Sequence, residues 1–372
     1  MKYKLSDISN YVKGKIDVST LNEDTYISTE NMAPNKGGIA KASSLPTATQ
    51  TQSFAVGDIL VSNIRPYFKK IWFAEYDGGC SNDVLVLRAK EGISKRFLYY
   101  VLANDVFFDY SMATSKGTKM PRGDKTAIME YEVPKFTYEE QEKIAGILAA
   151  LDKKIHLNNA INKNLAELLQ TVYQERFGDV SAATEQGILA DICSYSRDRV
   201  AVFELNASTY FSTENMLPGK AGATKAASLP TTPQTTACHK GDTLVSNIRP
   251  YFKKIVYCED RCGCSTDVLC FTPVQLKYAS YLFSTLYSDK LFTFMVAGSK
   301  GTKMPRGDKQ QIMTYPVALP SDEKLDEFNA LALPILAQLH SNKAESKRLS
   351  ATRDTLLPKL MSGELDVSDI DL

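Results

Sequence analysis

Two runs of this sequence combine closely spaced cations with turn-forming residues, a combination suited to binding phosphate. The first run, Ser115–Lys125, contains Lys116, Lys119, Arg122 and Lys125 together with two glycines and a proline. Glycine and proline are typical of loops, and lysine and arginine often contact nucleic-acid phosphates. We interpret this run, the basic loop, as a candidate DNA-contacting surface. The alternative is a tight turn packed on a sheet, with incidental lysines.

The second run, Ser62–Ile71, places cations on both sides of two aromatic residues. Arg65 precedes the triplet Pro-Tyr-Phe, and Lys69 and Lys70 follow it. An arginine that follows a strand could donate to guanine or to phosphate. The alternative is a hairpin whose aromatic side chains fill the core. We name this run the basic turn and count its Asn63 among the candidate contacts.

Both runs occur twice, unchanged, at a fixed offset of 184 residues. The basic turn recurs at Ser246–Ile255 and the basic loop at Ser299–Lys309. The same offset relates the chain from Leu5 to Leu360 without a gap, so one module is duplicated. The second set of candidate DNA-contacting residues is Asn247, Arg249, Lys253, Lys254, Lys300, Lys303, Arg306 and Lys309.

A third duplicated segment, Ser28–Met32, is polar and recurs at Ser212–Met216. Its asparagines, Asn31 and Asn215, could read adenine. Helix capping or a role within a turn is an equally good interpretation of these residues.

Each copy is predicted to be a mixed α/β body followed by one long helix. Strands are predicted over Asp58–Ile64, Lys70–Tyr76 and Asp83–Leu87, and a helix is predicted around Phe97–Leu102. The first body ends near Pro134.

The long helices carry heptads. Residues from Ile144 to Val172, most of them apolar, alternate steps of four and three, and the pattern repeats from Phe328 to Leu356. We expect a first helix of about 57 Å, at 1.5 Å per residue, and antiparallel pairing of the two helices into a rod with a body at either end. Pro334 should bend the second helix or delay its start.

The midpoints of the two heptad runs are Asn158 and Asn342. We expect these asparagines to lie near each other and to fix the register of the helices at some cost in stability.

Composition limits the class of protein. The 372 residues are 44% apolar and 23% charged with a net charge of +1, and no apolar run is long enough to span a membrane. We therefore expect a cytoplasmic protein with no membrane association. Of the seven cysteines only Cys80 and Cys264 are duplicated, which argues against a disulfide or zinc framework.

Sequence motifs for catalysis are missing. The chain contains no Pro-Pro pair of the kind that amino-methyltransferases use and no phosphate-binding loop of an ATP-driven motor. Its histidines form no cluster that suggests a metal. We expect a chain without catalytic residues, metal or cofactor.

The helix motifs resemble a known family. Glu139–Leu148, Leu151–Ile155 and the terminal run Arg353–Leu365 are similar to conserved segments of the specificity subunits of type I restriction-modification systems. The resemblance implies a non-catalytic subunit that binds two half-sites of double-stranded DNA. It also implies docking of two methyltransferase (modification) subunits and, through them, of restriction/translocase subunits.

The resemblance implies an order of domains and a fold class. We expect α/β (α+β) target recognition domains, in two copies, joined by two long antiparallel coiled-coil helices in a pseudo-two-fold arrangement. The expected boundaries are 1–137 and 178–320 for the recognition domains, 138–177 and 321–362 for the helices, and 363–372 for an acidic tail.

Because the copies share their candidate contacts, we expect a bipartite, near-palindromic site with a spacer of a few base pairs. Three alternatives remain at this point. They are a stand-alone duplicated DNA-binding protein without modification partners, a nuclease whose motif is unrecognised, and a coiled-coil scaffold that binds no nucleic acid.

Overall fold

The structure of the chain is a computed structural model, which describes residues 2–368 and residue 370. The chain divides into two compact units, which we describe separately. Unit 1 comprises the residues up to Leu157 together with those from Glu345 onward, and unit 2 comprises Asn158–Ala344. The predicted acidic tail includes Asp369, Asp371 and Leu372, which lie outside the described residues.

Unit 1 contains two four-stranded sheets and one two-stranded sheet. The orders are β2-β9-β6-β7, β3-β5-β8-β4 and β1-β10, and every pair is antiparallel except β4 with β8. The strands are β1 (Lys2–Lys4), β2 (Ser9–Tyr11), β3 (Lys15–Asp17), β4 (Tyr26–Ile27), β5 (Gln50–Phe54), β6 (Ile59–Ser62), β7 (Ile71–Phe73), β8 (Gly78–Cys80), β9 (Val84–Ala89) and β10 (Glu132–Pro134).

Most helices of unit 1 follow β9 in the chain, whereas the short α1 (Leu5–Ile8) lies between β1 and β2. The others are α2 (Lys95–Ala103), α3 (Asp105–Ala113), α4 (Lys125–Met129) and the first part of α5 (Tyr138–Phe177). Polar side chains begin several of them: Ser94 accepts from the N–H of Phe97, and Asn104 accepts from the N–H of Val106. Such caps satisfy backbone donors that have no partner within the helix.

The central sheet of unit 1 is buried on both faces, as the period of two along its strands requires. Ile59 and Val61 on β6 belong to the core formed with the helices. Leu60, between them, belongs to a second core with Trp72 and with Phe54 of the other sheet. The unit is therefore a layer of helices, a central sheet and a second sheet.

Unit 2 repeats the same arrangement, with orders β12-β19-β16-β17, β13-β15-β18-β14 and β11-β20. Its strands are β11 (Gln186–Ile188), β12 (Cys193–Tyr195), β13 (Arg199–Ala201), β14 (Tyr210–Phe211), β15 (Gln234–Cys238), β16 (Thr243–Ser246), β17 (Ile255–Tyr257), β18 (Cys262–Cys264), β19 (Val268–Pro273) and β20 (Pro316–Ala318). Its helices are α6 (Leu189–Ile192), α7 (Ala279–Tyr287), α8 (Asp289–Ala297), α9 (Lys309–Met313) and α10 (Asp322–Ser362), the last of which continues into unit 1.

Five of the seven cysteines pack with Met216, Leu244 and Val268 in one core of unit 2. All seven thiols are free and buried. Cys238 stands where unit 1 has Phe54, and Cys262 stands where unit 1 has Gly78. A Cβ at Gly78 would lie 2.4 Å from the carbonyl oxygen of Thr25 and 2.7 Å from the ring of Phe54. Smaller thiols at both places fill the corresponding space in unit 2.

Within each unit, α5 and α10 pack against each other in antiparallel orientation. In unit 1, Asp152 pairs with Arg353 at 2.7 Å. In unit 2, Asn162 contacts Leu339, and Arg176 pairs with Glu327 further along. The expected fold class of two sheet-rich α/β units with long paired helices is confirmed. No helix in the described ranges is long and apolar enough to cross a membrane.

The heptad identified the helix surface that packs but not every residue on it. Leu336 and Leu357 are buried, whereas the predicted Ile335 and Leu356 are only partly buried. The predicted Leu339 and Asn342 are buried, so the shift by one residue at Leu336 is local.

The expectation that Pro334 delays the second helix was wrong, because α10 begins at Asp322, well before the proline. Proline removes one N–H, which leaves the carbonyl of Ala330 without its helical partner. Both Pro334 and Ala330 are exposed, so water can satisfy that carbonyl.

Candidate nucleic-acid interface

The basic turn leaves the central sheet at the end of β6 in a strained conformation. Arg65 and Lys69 have φ of +50° and +51° on either side of a short 3₁₀ turn, Pro66–Phe68. In unit 2, Arg249 and Lys253 both have φ of +50°. Side chains other than glycine rarely adopt this region, and such strain concentrates at functional sites. Both copies, which are identical in sequence here, adopt this conformation.

The basic loop is held on the basic turn by backbone hydrogen bonds. The N–H of Arg65 donates to the carbonyl of Pro121 at 2.8 Å, and the N–H of Gly123 donates to the carbonyl of Asn63 at 3.2 Å. The loop itself is closed by a pair of hydrogen bonds between Lys116 and Arg122, at 2.9 and 3.0 Å. Two runs that are separate in the sequence thus form one surface.

Unit 2 reproduces this docking. The N–H of Arg249 donates to the carbonyl of Pro305 at 2.8 Å, and the N–H of Gly307 donates to the carbonyl of Asn247 at 3.2 Å. The approach is close: a Cβ at Gly307 would lie 2.9 Å from Asn247 Oδ1, so the asparagine side chain would have to shift. The structure therefore brings the predicted segments together in each copy.

Several predicted contacts are exposed on this surface. The lysines and arginine of the basic loop, and those of its copy, all face solvent. Tyr67 is 47% exposed and Phe68 is 37% exposed, with ring centroids 4.7 Å apart. The alternative that the aromatic residues fill the core is therefore wrong. The exposed predicted residues are Lys116, Lys119, Arg122 and Lys125 in unit 1 and Lys300, Lys303, Arg306 and Lys309 in unit 2.

Lys70 and Lys254 were also predicted to contact DNA. In the structure both instead donate hydrogen bonds to carbonyls of the protein. Lys70 Nζ donates to the carbonyl of Thr29 at 2.6 Å and lies 5.6 Å from the ring centroid of Phe68. Lys254 Nζ donates to the carbonyl of Thr213. Burial lowers the pKa of both lysines. These lysines connect the basic turn to the duplicated polar segment that begins at Ser28.

Asn63 and Asn247 lie beneath the surface. They are 8% and 6% exposed, and among the described atoms the Oδ1 of each is buried without a hydrogen-bond partner. The Nε atoms of Arg65 and Arg249 are likewise buried without a hydrogen-bond partner among the described atoms. The two asparagine side chains therefore lie under the turn in this structure, and the exposed cations form its outer face.

The hydrogen bonds of Asn31 distinguish between the two interpretations of the polar segment Ser28–Met32, adenine recognition and a structural role. Its Oδ1 accepts from the N–H of Ser28 at 2.6 Å, and its Nδ2 donates to the carbonyls of Tyr26 and Ala40 at 3.0 and 2.9 Å. Asn215 makes the equivalent hydrogen bonds in unit 2. Because both amide hydrogens are already donated, the structure favours a role within the turn.

Aspartates next to the cations were missed by the sequence analysis. Asp83 pairs with Arg122 at 3.0 Å, and Asp105 pairs with Lys69 at 2.9 Å. Asp124 pairs with Lys116, and this hydrogen bond, with those from Ala127 and Thr126, lowers the pKa of Asp124. All three aspartates recur in unit 2 as Asp267, Asp289 and Asp308, and their duplication was the available signal.

Comparison with known proteins gives a consistent family. Residues 1–167 match the family model described as type I restriction modification DNA specificity domain. The specificity subunit of the EcoDI type I restriction enzyme from Escherichia coli is 25% identical over 54% of this chain and 46% of that subunit. The MjaIX specificity subunit from Methanocaldococcus jannaschii is 21% identical over 76% of this chain and 71% of that subunit. The chain thus spans about half the length of the first of these relatives.

The fold is shared with a solved structure. The S subunit of a type I restriction-modification system from M. genitalium aligns over 97% of this chain and 96% of that chain, with a TM-score of 0.63 and 17% sequence identity. At this identity the alignment supports the fold. Together with the family model and the curated relatives, it confirms that the chain resembles the specificity subunits of type I restriction-modification systems.

Proposed function

We propose that this chain binds double-stranded DNA at two half-sites, one for each unit, and brings modification subunits to that DNA without catalysing a reaction itself. One observation carries the proposal. The basic turn and the basic loop, identical in both copies, are joined by backbone hydrogen bonds into a single exposed cationic surface in each unit.

The chemistry of this surface suits duplex DNA. Arginine and lysine at loop tips contact phosphates, and an arginine at the end of a strand can reach a base edge. The exposed aromatic pair Tyr67–Phe68 adds apolar contact area next to those cations. Since the same groups recur in unit 2, the two half-sites should share most of their bases, in the inverted orientation expected from the duplicated sequence.

Docking of modification subunits is proposed from the family and from an exposed helix face. Ile161 and Leu168 on α5 are 44% and 51% exposed. They are seven residues apart and so lie on one face of the helix. Exposed apolar residues at helical spacing suit a partner helix. We propose two modification subunits, with restriction/translocase subunits joining through them, in a cytoplasmic complex.

The test is a salt titration of DNA binding by the full chain and by the variant Arg122→Ala with Arg306→Ala. Each lost phosphate contact should reduce the slope of log K against log salt by roughly 1. The variant should bind every duplex more weakly at low salt. A variant with unchanged affinity across the titration would show that these loops are structural turns.

A further inference from the structure

The exposed arginine of each basic loop faces a carboxylate in this structure. Arg122 Nη2 lies 3.0 Å from Asp83 Oδ1, and Arg306 Nη2 lies 3.1 Å from Asp267 Oδ1. These arginines are 56% exposed in both units. An arginine binds a carboxylate and a phosphate with the same fork of N–H groups. The carboxylate is thus a competitor for any DNA phosphate that approaches the guanidinium.

Other cations of the surface are neutralised in the same way. Asp105 pairs with Lys36 at 2.8 Å and with Lys69 at 2.9 Å. In unit 2, Asp289 pairs with Lys220 and Lys253, and these lysines lower its pKa. The cationic surface of each unit therefore also carries aspartates that partly neutralise it. Its attraction for DNA is weaker than the number of its lysines and arginines suggests.

The aspartates differ in what else they do. Asp124 caps α4 by accepting from the N–H groups of Thr126 and Ala127, so its loss would also affect the fold. Asp83 has no such role: among the described contacts, its carboxylate pairs with Arg122. Its backbone, by contrast, is tied to Asn63 and Ser81. A change of its side chain therefore isolates the electrostatic effect.

We propose that Asp83 and Asp267 are built-in competitors of the DNA backbone, which hold Arg122 and Arg306 until a phosphate displaces them and thereby limit binding to non-specific duplex. This inference rests on the proposed DNA-binding function. On binding, each ion pair opens and the freed carboxylate faces the phosphates. Both effects oppose association. In the opposite arrangement, in which Asp83 orients Arg122 toward DNA, removal of the carboxylate would weaken binding.

The experiment compares the full chain with the variant Asp83→Asn and Asp267→Asn, using equilibrium binding to a mixed-sequence duplex across a salt series. Asparagine keeps the size of the side chain and removes its charge. An exposed ion pair changes an equilibrium by up to about fivefold, so the double variant should gain on the order of tenfold in affinity at low salt. The gain should shrink as salt rises.

A matched control is Glu132→Gln with Glu204→Gln. These residues form exposed ion pairs with Lys2 and Arg261, outside the basic turn and the basic loop. The control changes the net charge by the same amount and should gain less than half as much affinity. The single variants Asp83→Asn and Asp267→Asn should each give part of the effect, which protects the test if the double variant folds poorly.

The outcomes distinguish failure of the competitor role of Asp83 and Asp267 from failure of the proposed DNA binding. A double variant that binds more weakly, or no better than the control, overturns the competitor role while the proposed function stands. The proposed function is checked independently by the loss of binding in Arg122→Ala with Arg306→Ala. A wild-type chain that binds no duplex even at low salt contradicts the proposed function and the inference together.

Discussion

Asn158 lies against its own counterpart in the duplicated sequence: its Nδ2 donates to the carbonyl of Asn342 at 3.5 Å. Asn342 in turn donates from Nδ2 to Asn162 Oδ1 at 2.9 Å and accepts from Gln338 at 2.7 Å. All of these residues belong to unit 2. The polar residues where α5 and α10 pack against each other therefore form a connected hydrogen-bond network, and Asn162 is part of it.

This network determines the expected effect of replacing the two midpoint asparagines. Asn158→Leu with Asn342→Leu leaves the buried Asn162 Oδ1 without its partner, and a buried unsatisfied group costs about 1–3 kcal/mol. We expect the free energy of unfolding to fall by that amount, measured by denaturant titration. Adding Asn162→Leu should restore part of the loss.

The control for the midpoint double variant is Asn159→Leu, because Asn159 is exposed on the same helix as Asn158. Its effect should stay within about 0.5 kcal/mol. If the midpoint double variant were as stable as wild type, the network would have no energetic role. The role of Asn158 and Asn342 in fixing register stays a prediction.

Lys119 and Lys70 should behave differently although both belong to duplicated basic runs. Lys119 is exposed, whereas Lys70 donates to the carbonyl of Thr29. We expect Lys119→Ala with Lys303→Ala to reduce the salt dependence of DNA binding and to leave thermal unfolding unchanged. Lys70→Ala with Lys254→Ala should lower the unfolding temperature. Equal behaviour of the two variants in both assays would contradict the assignment of roles.

Gly123 should tolerate no side chain. A Cβ there would lie 2.9 Å from Asn63 Oδ1, Ile128 Cδ1 and Ser111 Oγ. Overpacking of this kind costs about 1–3 kcal/mol. We expect Gly123→Ala with Gly307→Ala to destabilise both units and to weaken DNA binding, measured by calorimetry and by gel shift. Normal binding by this variant would show that the contact between the turn and the loop is dispensable.

The apolar face of α5 should matter for assembly and not for DNA. We expect Ile161→Glu with Leu168→Glu to weaken co-purification of modification subunits while the lone chain keeps its affinity for duplex. Exposed apolar residues on a partner-binding face lose their contacts when charged. Unchanged co-purification would place the docking surface elsewhere.

The sequence predicted the repeat, the long helices and the cationic segments because each depends on local spacing or on identity between copies. It could not show that Lys70 points inward or that Asp83 faces Arg122, because both facts depend on contacts between segments far apart in the chain. The burial of Asn63 under Gly123 is hidden for the same reason. The duplicated aspartates were visible in the sequence, but their carboxylates gave no reason to connect them with DNA.

The most direct measurement of the central claim is a map of methylated bases in the host genome with and without this gene. We expect loss of the gene to abolish methylation at one bipartite motif, whose two halves share their bases in inverted orientation around a short spacer. A motif with unrelated halves would contradict the matched half-sites. Methylation that is unaffected by loss of the gene would contradict the proposed function itself.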